Sequence, residues 1–423
     1  MCGIQGLGSA AIGYNLGMEI KELVKLEEQR QRETLMLIPS ENYASEAVKG
    51  AQGSVLNNKY SEGYSGKRYY QGNKYIDEIE NIAIESAKKL FGVPHANVQP
   101  YSGSPANAAV LMGLLGAGDK IMGLKLSGGG HLTHGHPKVT FSGKFFESVQ
   151  YDVDEDGLID YDAVAKLVRE EKPKLIIAGT TAYPRTLDWK KFAEIADGVG
   201  AYLLADISHI AGLVVGGVHP SPVPYAHVVM TTTHKTLRGP RGAILMVTQK
   251  GLDKDPDLAK KIDRAVFPGL QGGPHNATTA GIAIALREAG GKPFQKYAQQ
   301  VVKNAKVLSE ELIKLGFKLT TGGTDNHLIV IDLRGQKISG KDAAIALEEA
   351  GMVVNYNSVP HDTNPPANPA GIRLGTGAVT SRGMKEGEMR MIAKWMYGVV
   401  VGKANKRKVL EEVKRLCRKF QVP

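Results

Sequence analysis

The sequence predicts an α/β protein in which a mostly parallel sheet forms a large domain and a smaller α+β domain follows it. Strand-like apolar runs alternate with segments of helical periodicity through the middle of the chain, as in parallel α/β sheets. These runs are nearly continuous in apolar residues, which is typical of strands covered on both faces. The alternation ends near residue 275, where a different pattern begins.

Each element follows from this periodicity in chain order. The first part predicts helices over residues 76–90, 108–115, 161–170 and 189–197, and strands over 120–124, 174–178, 201–207, 227–233 and 243–247. The second part predicts helices over 294–315, 343–350, 386–399 and 409–420, and extended segments over 328–333, 352–355 and 372–374. We therefore expect an N-terminal arm or helical segment at 1–55, a large α/β domain at 56–285 and a small α+β domain at 286–423.

Composition limits the class of protein. The formal net charge of +10 suits either an enzyme that handles phosphate and carboxylate groups or a protein that binds a polyanion such as nucleic acid. The two cysteines, Cys2 and Cys417, form no C-x-x-C pair, so neither a metal site nor a disulfide framework is expected. No apolar run reaches the ~20 residues of a membrane span, and the first eighteen residues carry no basic signal region. We expect a cytoplasmic protein without a membrane partner.

The segment 227–242, HVVMTTTHKTLRGPRG, places Lys235 directly after an apolar strand. A lysine in a sheltered cleft loses part of its hydration, which lowers its pKa and frees the amine to attack an aldehyde. The nearby hydroxyls, His234 and Arg241 suit phosphate binding. Taken alone, the alternative is a solvated lysine in a loop.

Two further features make a cofactor site more specific. Asp206 ends an apolar strand about thirty residues before Lys235, at the sheet edge where α/β proteins bind ligands. A carboxylate there can keep the ring nitrogen of pyridoxal phosphate protonated, although a helix N-cap or a surface carboxylate is the alternative. The small residues Ser102, Gly103 and Ser104 precede a predicted helix, whose free N–H groups can bind phosphate.

With these residues in view, the chain resembles the serine hydroxymethyltransferase family. The matching motifs follow the family order along nearly the whole chain: LIPSENYAS at 37–45, NKYSEGYSGKRYYQGN at 58–73, VQPYSGSPAN at 98–107, GGHLTHG at 129–135, ADISHIAG at 205–212, TTTHKTLRGPRG at 231–242, FPGLQGGP at 267–274, TDNHL at 324–328, NSVP at 357–360 and GIRLGT at 371–376. The resemblance implies the aspartate-aminotransferase-like type I fold of pyridoxal-phosphate enzymes, with a seven-stranded sheet. It also implies a homodimer at minimum, with a tetramer as the alternative, and active sites made by two subunits.

The resemblance implies roles for residues by matched motif position. Lys235 is the Schiff-base lysine and Asp206 is the partner of the pyridine nitrogen, while His131 stacks on the ring face. For His131, the alternative to this role is an ordinary histidine in a Gly-rich turn. The remaining implied cofactor contacts are Ser102, Gly103, Ser104, Thr181, His209 and His234, with Tyr60, Gly272 and Gly273 contributed by the other subunit.

The substrate and folate contacts are also implied by resemblance. Arg373 matches the arginine that pairs with the amino-acid carboxylate, a group that its planar fork binds bidentately; the alternative is a surface arginine on an edge strand. Glu62 matches the family's acid/base carboxylate, which one subunit contributes to the active site of the other. Without the resemblance, Glu62 would be interpreted as a solvated surface charge. Ser40, Tyr70 and His209 complete the substrate set, with Tyr70 also in the catalytic set, and the folate set is Glu62, Tyr69, Leu126, Gly130, Leu132 and Asn357.

The implied reaction is the reversible conversion of serine and tetrahydrofolate to glycine and 5,10-methylenetetrahydrofolate, with pyridoxal phosphate as cofactor. One alternative is a folate-independent aldolase acting on threonine or allo-threonine. Another is the same reaction with a tetrahydromethanopterin-type carrier. An alternative of a different class is a nucleic-acid-binding protein, suggested by the net charge and the basic segment 403–419, although no recognition motif is present.

Overall fold

The computed structural model describes residues 19–137 and 139–423, so Cys2 and the first eighteen residues of the predicted arm lie outside the described part. The strands are β1 (Leu35–Met36), β2 (Gly63–Tyr64), β3 (Lys67–Arg68), β4 (His95–Asn97), β5 (Lys120–Leu124), β6 (Glu147–Tyr151), β7 (Leu175–Gly179), β8 (Tyr202–Asp206), β9 (Val228–Thr232), β10 (Ala243–Val247), β11 (Lys318–Leu319), β12 (Leu328–Asp332), β13 (Met352–Val353), β14 (Asn355–Asn357) and β15 (Gly371–Gly375).

The α-helices lie between and after these strands. They are α1 (Ile20–Glu33), α2 (Glu46–Gln52), α3 (Lys74–Phe91), α4 (Gly103–Leu114), α5 (Phe141–Phe145), α6 (Tyr161–Glu171), α7 (Trp189–Asp197), α8 (Ala211–Val215), α9 (Gln249–Lys254), α10 (Leu258–Arg264), α11 (Asn276–Ala289), α12 (Lys292–Lys314), α13 (Gly340–Glu349), α14 (Gly377–Ser381), α15 (Glu386–Val400) and α16 (Lys406–Lys419). No helix in the described ranges is long and apolar enough to cross a membrane.

The central sheet has seven strands in the order β4-β10-β9-β8-β7-β5-β6. The five strands from β9 to β6 are parallel, and β10 runs antiparallel to both β9 and β4. Every residue of β7, β9 and β10 is buried, because helices pack on both faces of the sheet. The carboxyl ends of β5, β7, β8 and β9 meet at one edge, so the residues that follow these strands are brought together there.

A second, four-stranded sheet has the order β11-β12-β15-β14 and is antiparallel. It forms a separate hydrophobic core with α13, α15 and α16, and Leu35 and Leu37 from the N-terminal segment join this core. The long helix α12 contributes to both cores, with Phe294 and Val301 in the large one and Leu308 and Leu312 in the small one. The domain boundaries expected at residues 55 and 285 stay predictions.

Most predicted elements are present, and three match to the residue: β5, α7 and β10. The helix predicted at 108–115 instead begins at Gly103, because proline is tolerated in a first helical turn, where Pro105 lies. The extended segment predicted at 352–355 is two strands, since Met352–Val353 pairs with β1 whereas Asn355–Asn357 pairs with β15.

The sequence pattern did not give the bounds of several elements, among them α1, α11, β6 and β4. Helix α1 has no buried residue, so it has no apolar stripe facing a core. Helix α11 is buried nearly all round, so its apolar residues show little helical periodicity. Strand β6 lies at the sheet edge with only Tyr151 buried, and β4 has three residues.

Candidate active site

A cavity of about 220 Å³ opens at the carboxyl edge of the central sheet. It lies where the segments after β7, β8 and β9 face the start of α4. Its lining residues are Ser102, Gly103, Ser104, Asn107, His131, Thr180, Thr181, Asp206, Ser208, Met230, Thr232, His234, Lys235 and Arg241. The fold therefore brings together most of the cofactor residues that the sequence predicted.

Lys235 follows β9 and extends its amine into this cavity. The Nζ atom donates to Thr232 Oγ1 at 2.9 Å, and Asn42 Nδ2 donates to the Lys235 backbone oxygen at 3.1 Å. Burial lowers the pKa of Lys235 to about 8, although the charge of Asp206 opposes this shift. A larger fraction of neutral amine makes the side chain a better nucleophile toward an aldehyde. The half-buried lysine is thus not a solvated loop residue.

Asp206 ends β8 and is buried, so it is neither a helix N-cap nor a surface carboxylate. Its Oδ1 accepts from the backbone N–H and the hydroxyl of Ser208, at 3.1 and 2.6 Å. Its Oδ2 accepts from His134 Nε2 at 2.9 Å and from Asn107 Nδ2 at 3.1 Å. Burial alone would raise the pKa of Asp206, but the hydrogen bonds from His134 and Ser208 outweigh it and hold the pKa below its usual value.

The start of α4 forms the opposite wall. Ser102 is the N-cap residue, but its side chain makes no capping hydrogen bond, so its hydroxyl is available to a ligand. A Cβ atom on Gly103 would lie 2.8 Å from Thr232 Cγ2, so only glycine lets the helix start approach β9 this closely. Free N–H groups at the helix start, together with the helix dipole, favour a bound phosphate.

His234 lies beside this wall. Burial, aided by the charges of Lys235 and Arg241, lowers its pKa to about 3, so the ring is neutral at pH 7. Its Nδ1 atom is buried without a hydrogen-bond partner in the described part of the chain. A buried polar atom of this kind indicates that a ligand group completes the site.

These residues fit pyridoxal phosphate. The Lys235 amine matches the aldehyde, the ionised Asp206 matches the ring nitrogen, and the start of α4 with His234 matches the phosphate. Within the described ranges, no group of His, Cys, Asp and Glu side chains could hold a metal ion.

Arg373 lies on β15, between β12 and β14, so the edge-strand alternative is wrong. Its Nη1 donates to the Thr181 backbone oxygen at 2.6 Å and its Nε donates to Asn355 Oδ1 at 3.0 Å. Nη2 makes no hydrogen bond to any described residue. Burial lowers the pKa of Arg373 to about 10, which leaves the guanidinium charged at pH 7. A buried cation held in this way can receive a carboxylate.

His209 and Ser40 lie beyond the Lys235 cavity lining. His209 is buried and its ring stacks on His327, with Nδ1 3.4 Å from His327 Nε2. Burial, with the charges of Lys235 and Arg373, lowers the pKa of His209 well below its ordinary value. Ser40 is half-buried and follows Leu37, whose oxygen accepts from the Gly375 N–H at the end of β15 at 2.7 Å. Both residues are thus near the strand that carries Arg373.

A second group of predicted residues lies apart from the cavity. Tyr60 donates to Glu62 Oε1 at 3.1 Å, and the Tyr60 and Tyr70 rings meet edge to face with centroids 4.9 Å apart. A Cβ atom on Gly272 would lie 3.0 Å from Glu62 Oε1, and one on Gly273 would lie 3.1 Å from the Tyr60 ring. Tyr60, Tyr69 and Tyr70 are exposed by 54%, 73% and 45%. Within one chain, none of the six residues in this group lines the Lys235 cavity.

The other predicted folate residues, Leu126, Gly130, Leu132 and Asn357, lie in the loop after β5 and at the end of β14. Leu126 and Leu132 are exposed large apolar side chains in the loop that follows β5. The Gly130 oxygen accepts from Thr181 Oγ1 at 2.7 Å, which joins this loop to the cavity wall. Asn357 ends β14 and its Nδ2 donates to the Ser358 oxygen.

Sequence reasoning missed several residues of the site. Asn107 and His134 contact Asp206, Thr133 contacts His131, and Asn355 holds Arg373. Asn107 and His134 belong to the motifs VQPYSGSPAN and GGHLTHG. Polar side chains among small residues in these motifs could have indicated a role in the site. Asn355 gave no such signal, because its role depends on the pairing of β14 with β15.

Comparison with known proteins agrees with this geometry. A family model described as serine hydroxymethyltransferase matches residues 15–396. The chain belongs to the serine hydroxymethyltransferase family. It is 56% identical over 414 residues to a serine hydroxymethyltransferase of Acidothermus cellulolyticus, which covers 96% of this chain and 95% of the relative. A Desulfotalea psychrophila relative of the same name is 55% identical over 408 residues, covering 96% and 94%.

A third serine hydroxymethyltransferase, from Sorangium cellulosum, is 56% identical over 409 residues and covers 96% of this chain and 95% of its own. The family predicted from the sequence is therefore confirmed. The predicted class, a pyridoxal-phosphate enzyme of fold type I, is confirmed with it. The seven-stranded, mostly parallel sheet agrees with that fold.

Proposed function

We propose that this chain is a serine hydroxymethyltransferase that binds pyridoxal phosphate on Lys235. It converts serine and tetrahydrofolate reversibly to glycine and 5,10-methylenetetrahydrofolate. The observation that carries the proposal is the cavity in which the Lys235 amine, the buried Asp206 carboxylate and the start of α4 face one another, in a chain that matches the family over residues 15–396.

Pyridoxal phosphate, when bound, supplies an electron sink for the electron pair released at the substrate Cα atom. Asp206 keeps a proton on the ring nitrogen, because its own pKa is held low by the hydrogen bonds it accepts. Ser102, Gly103, Ser104 and His234 would hold the phosphate of the cofactor, and Thr181 and His131 would border its ring. The Lys235 amine would hold the cofactor until the amino group of serine takes its place.

Arg373 binds the serine carboxylate and thereby fixes which Cα bond is broken. Its guanidinium is buried and already oriented by Thr181 and Asn355, so binding requires little reordering. The neutral His209 and Ser40 support this end of the substrate, together with Tyr70.

Glu62 moves protons at the reacting hydroxyl and at the folate. We assign this role across a homodimer interface, with Tyr60, Gly272 and Gly273 reaching the cofactor phosphate of the other subunit. The support is that these residues form one group outside the Lys235 cavity of their own chain, with Tyr60 exposed and Glu62 half-buried. Tyr69, Leu126, Gly130, Leu132 and Asn357 bind the pterin, and the apolar Leu126 and Leu132 suit its flat ring. We place the enzyme in the cytoplasm.

The deciding experiment is an assay of serine cleavage by the purified holoenzyme with and without tetrahydrofolate. We expect glycine formation to depend on the folate and to be abolished in Lys235→Ala. Serine or threonine cleavage at the same rate without folate would instead establish the aldolase. Turnover with tetrahydromethanopterin but not tetrahydrofolate would establish the other carrier. Normal turnover by Lys235→Ala would refute the site itself.

A further inference from the structure

Asn107 occupies a central position beneath the cavity. It lies on the second turn of α4, is 1% exposed, and lines the same cavity as Lys235. Its Nδ2 donates to Asp206 Oδ2 at 3.1 Å and to Thr133 Oγ1 at 2.9 Å. The opposite orientation of the amide would place Oδ1 against the Asp206 carboxylate, so the assignment of nitrogen and oxygen is forced by charge.

Thr133 carries this contact onward to His131. Because its Oγ1 accepts from Asn107, its own proton is free to be donated to His131 Nδ1, 2.7 Å away. The Thr133 backbone N–H also donates to His131 Nδ1, at 3.1 Å. Two donors at Nδ1 place the ring proton of His131 on Nε2 and fix the direction in which the imidazole points. Burial lowers the pKa of His131 to about 4, which agrees with a neutral ring.

His134 provides a second connection between His131 and Asp206. Its Nδ1 accepts from the His131 backbone N–H at 3.3 Å, so its ring proton lies on Nε2 and is donated to Asp206 Oδ2 at 2.9 Å. Asp206 is thus linked to His131 by two routes, one through His134 and one through Asn107 and Thr133. Only the second route ends on the His131 imidazole itself.

We propose that Asn107 is a positioning residue that orients the Asp206 carboxylate toward the ring nitrogen of the cofactor and, through Thr133, the His131 imidazole toward the ring face. This inference rests on the proposed function, since it assumes that pyridoxal phosphate binds with its ring nitrogen at Asp206 and its ring face at His131. One side chain on α4 therefore links the phosphate-binding helix to both ring contacts. Asn107 acts through these residues and needs no bond to the reacting atoms.

The test compares Asn107→Ala, Thr133→Val and the double variant. Pyridoxal phosphate is titrated into each apo-protein, and the ratio of visible circular dichroism to absorbance, which depends on how the bound ring is held, is recorded. Asn107→Ala is expected to weaken cofactor binding about 10- to 100-fold, the scale of one hydrogen bond to a charged group, and to change the ratio. Thr133→Val is expected to weaken binding about 2- to 10-fold, the scale of a neutral hydrogen bond. Because Asn107 and Thr133 belong to one series of hydrogen bonds, the double variant should lose less cofactor affinity than the product of the two single losses.

Asn304→Ala is the matched control. Asn304 is equally buried and its Nδ2 also donates twice, to Thr380 Oγ1 and to the Met384 oxygen, each at 2.9 Å, but in the small core. It should lower the melting temperature without changing cofactor affinity or the dichroism ratio. If Asn107→Ala does not fold, Asn107→Thr and Thr133→Val take its place in the same comparison, because both substitutions keep most of the residue volume.

Cofactor affinity within twofold of native in the Asn107 variant, with an unchanged dichroism ratio, would overturn the proposal. Strictly multiplicative losses would overturn the route through Thr133. Failure of the proposed function gives a different result: the native apo-protein then binds no pyridoxal phosphate, or Lys235→Ala binds it with the native spectrum.

Discussion

Arg373 and Asn355 face each other across β15 and β14, and Arg373 Nε donates to Asn355 Oδ1 at 3.0 Å. The Thr181 oxygen, in the segment that follows β7 of the central sheet, accepts from Nη1 of the same guanidinium. The Arg373 guanidinium is therefore held by residues of both the large and the small domain before any substrate binds.

Asn355→Ala should raise the KM for serine about tenfold with little change in kcat, because the guanidinium loses one of its two supports and binding weakens equally in ground and transition states. Steady-state kinetics with varied serine measures both constants. Asn355→Asp keeps an acceptor for Nε and should restore most of the affinity. A fall in kcat at unchanged KM would contradict a positioning role for Asn355.

Arg373→Lys should weaken serine binding about 10- to 150-fold, because a lysine cannot offer two parallel N–H donors to a carboxylate. Glycine and serine titrations of the holoenzyme, followed by its absorbance, report the dissociation constants. Cofactor affinity should stay close to native, since Arg373 does not line the cofactor cavity. Equal losses for substrate and cofactor would show that the residue acts on the fold.

The pKa of Lys235, lowered by burial to about 8 from 10.5, predicts how the apo-protein captures pyridoxal phosphate as pH varies. Below about pH 8 the amine is protonated and cannot attack the aldehyde, so the rate of covalent capture should rise with pH. It should level off above about 8, where the amine is mostly neutral. Stopped-flow absorbance at a series of pH values gives the profile. A rate that still rises steeply toward pH 10 would mean an ordinary, unshifted lysine.

The assignment of Glu62 to the neighbouring site predicts complementation between inactive variants. Lys235→Ala and Glu62→Gln, unfolded together in equal amounts and refolded, should recover about a quarter of native activity. Half of randomly formed dimers are mixed, and each mixed dimer has one intact site. Refolding each variant alone is the control and should yield no activity. Absence of recovery in verified mixed dimers would place Glu62 and Lys235 in the same subunit's site.

The buried ion pairs of Arg68 lead us to expect that substituting this residue strongly lowers the stability of the protein. Its side chain is 3% exposed and forms ion pairs with Asp77 at 2.8 Å and with the buried Glu80 at 3.0 Å. Arg68→Met should lower the free energy of unfolding by about 3–5 kcal/mol, because it leaves a buried carboxylate without its cation. Urea denaturation measures the change. Lys88→Met, which breaks a mostly exposed pair with Glu85, should cost no more than about 1 kcal/mol.

The cofactor side of the site could be predicted from the sequence because its residues follow strands. Lys235 and Asp206 come after apolar runs, and parallel strands place such positions at one sheet edge. Asn107 and Asn355 could not be assigned in this way. The partner of Asn107 is 99 residues away and that of Asn355 is 18 residues away, and these contacts depend on helix orientation and strand register, which local periodicity does not encode.

The N-terminal and edge elements were harder to predict for a different reason. Periodicity reports a face turned toward a core, and α1 has no buried residue while β6 has one. The Tyr60–Glu62 group was recognised only by its motif, since nothing in the charge or polarity of Glu62 distinguishes it in the sequence from any surface glutamate.

Helix α12 spans both hydrophobic cores without interruption, from Phe294 in one to Leu312 in the other. A continuous helix resists bending, so the sheet that carries Arg373 cannot tilt far from the central sheet, whose strand β9 precedes Lys235, unless α12 itself breaks. Loss of either core would also strip half of this helix of its packing. The two halves of the molecule should consequently melt in a single cooperative transition, and heating should remove carboxylate recognition and cofactor binding together.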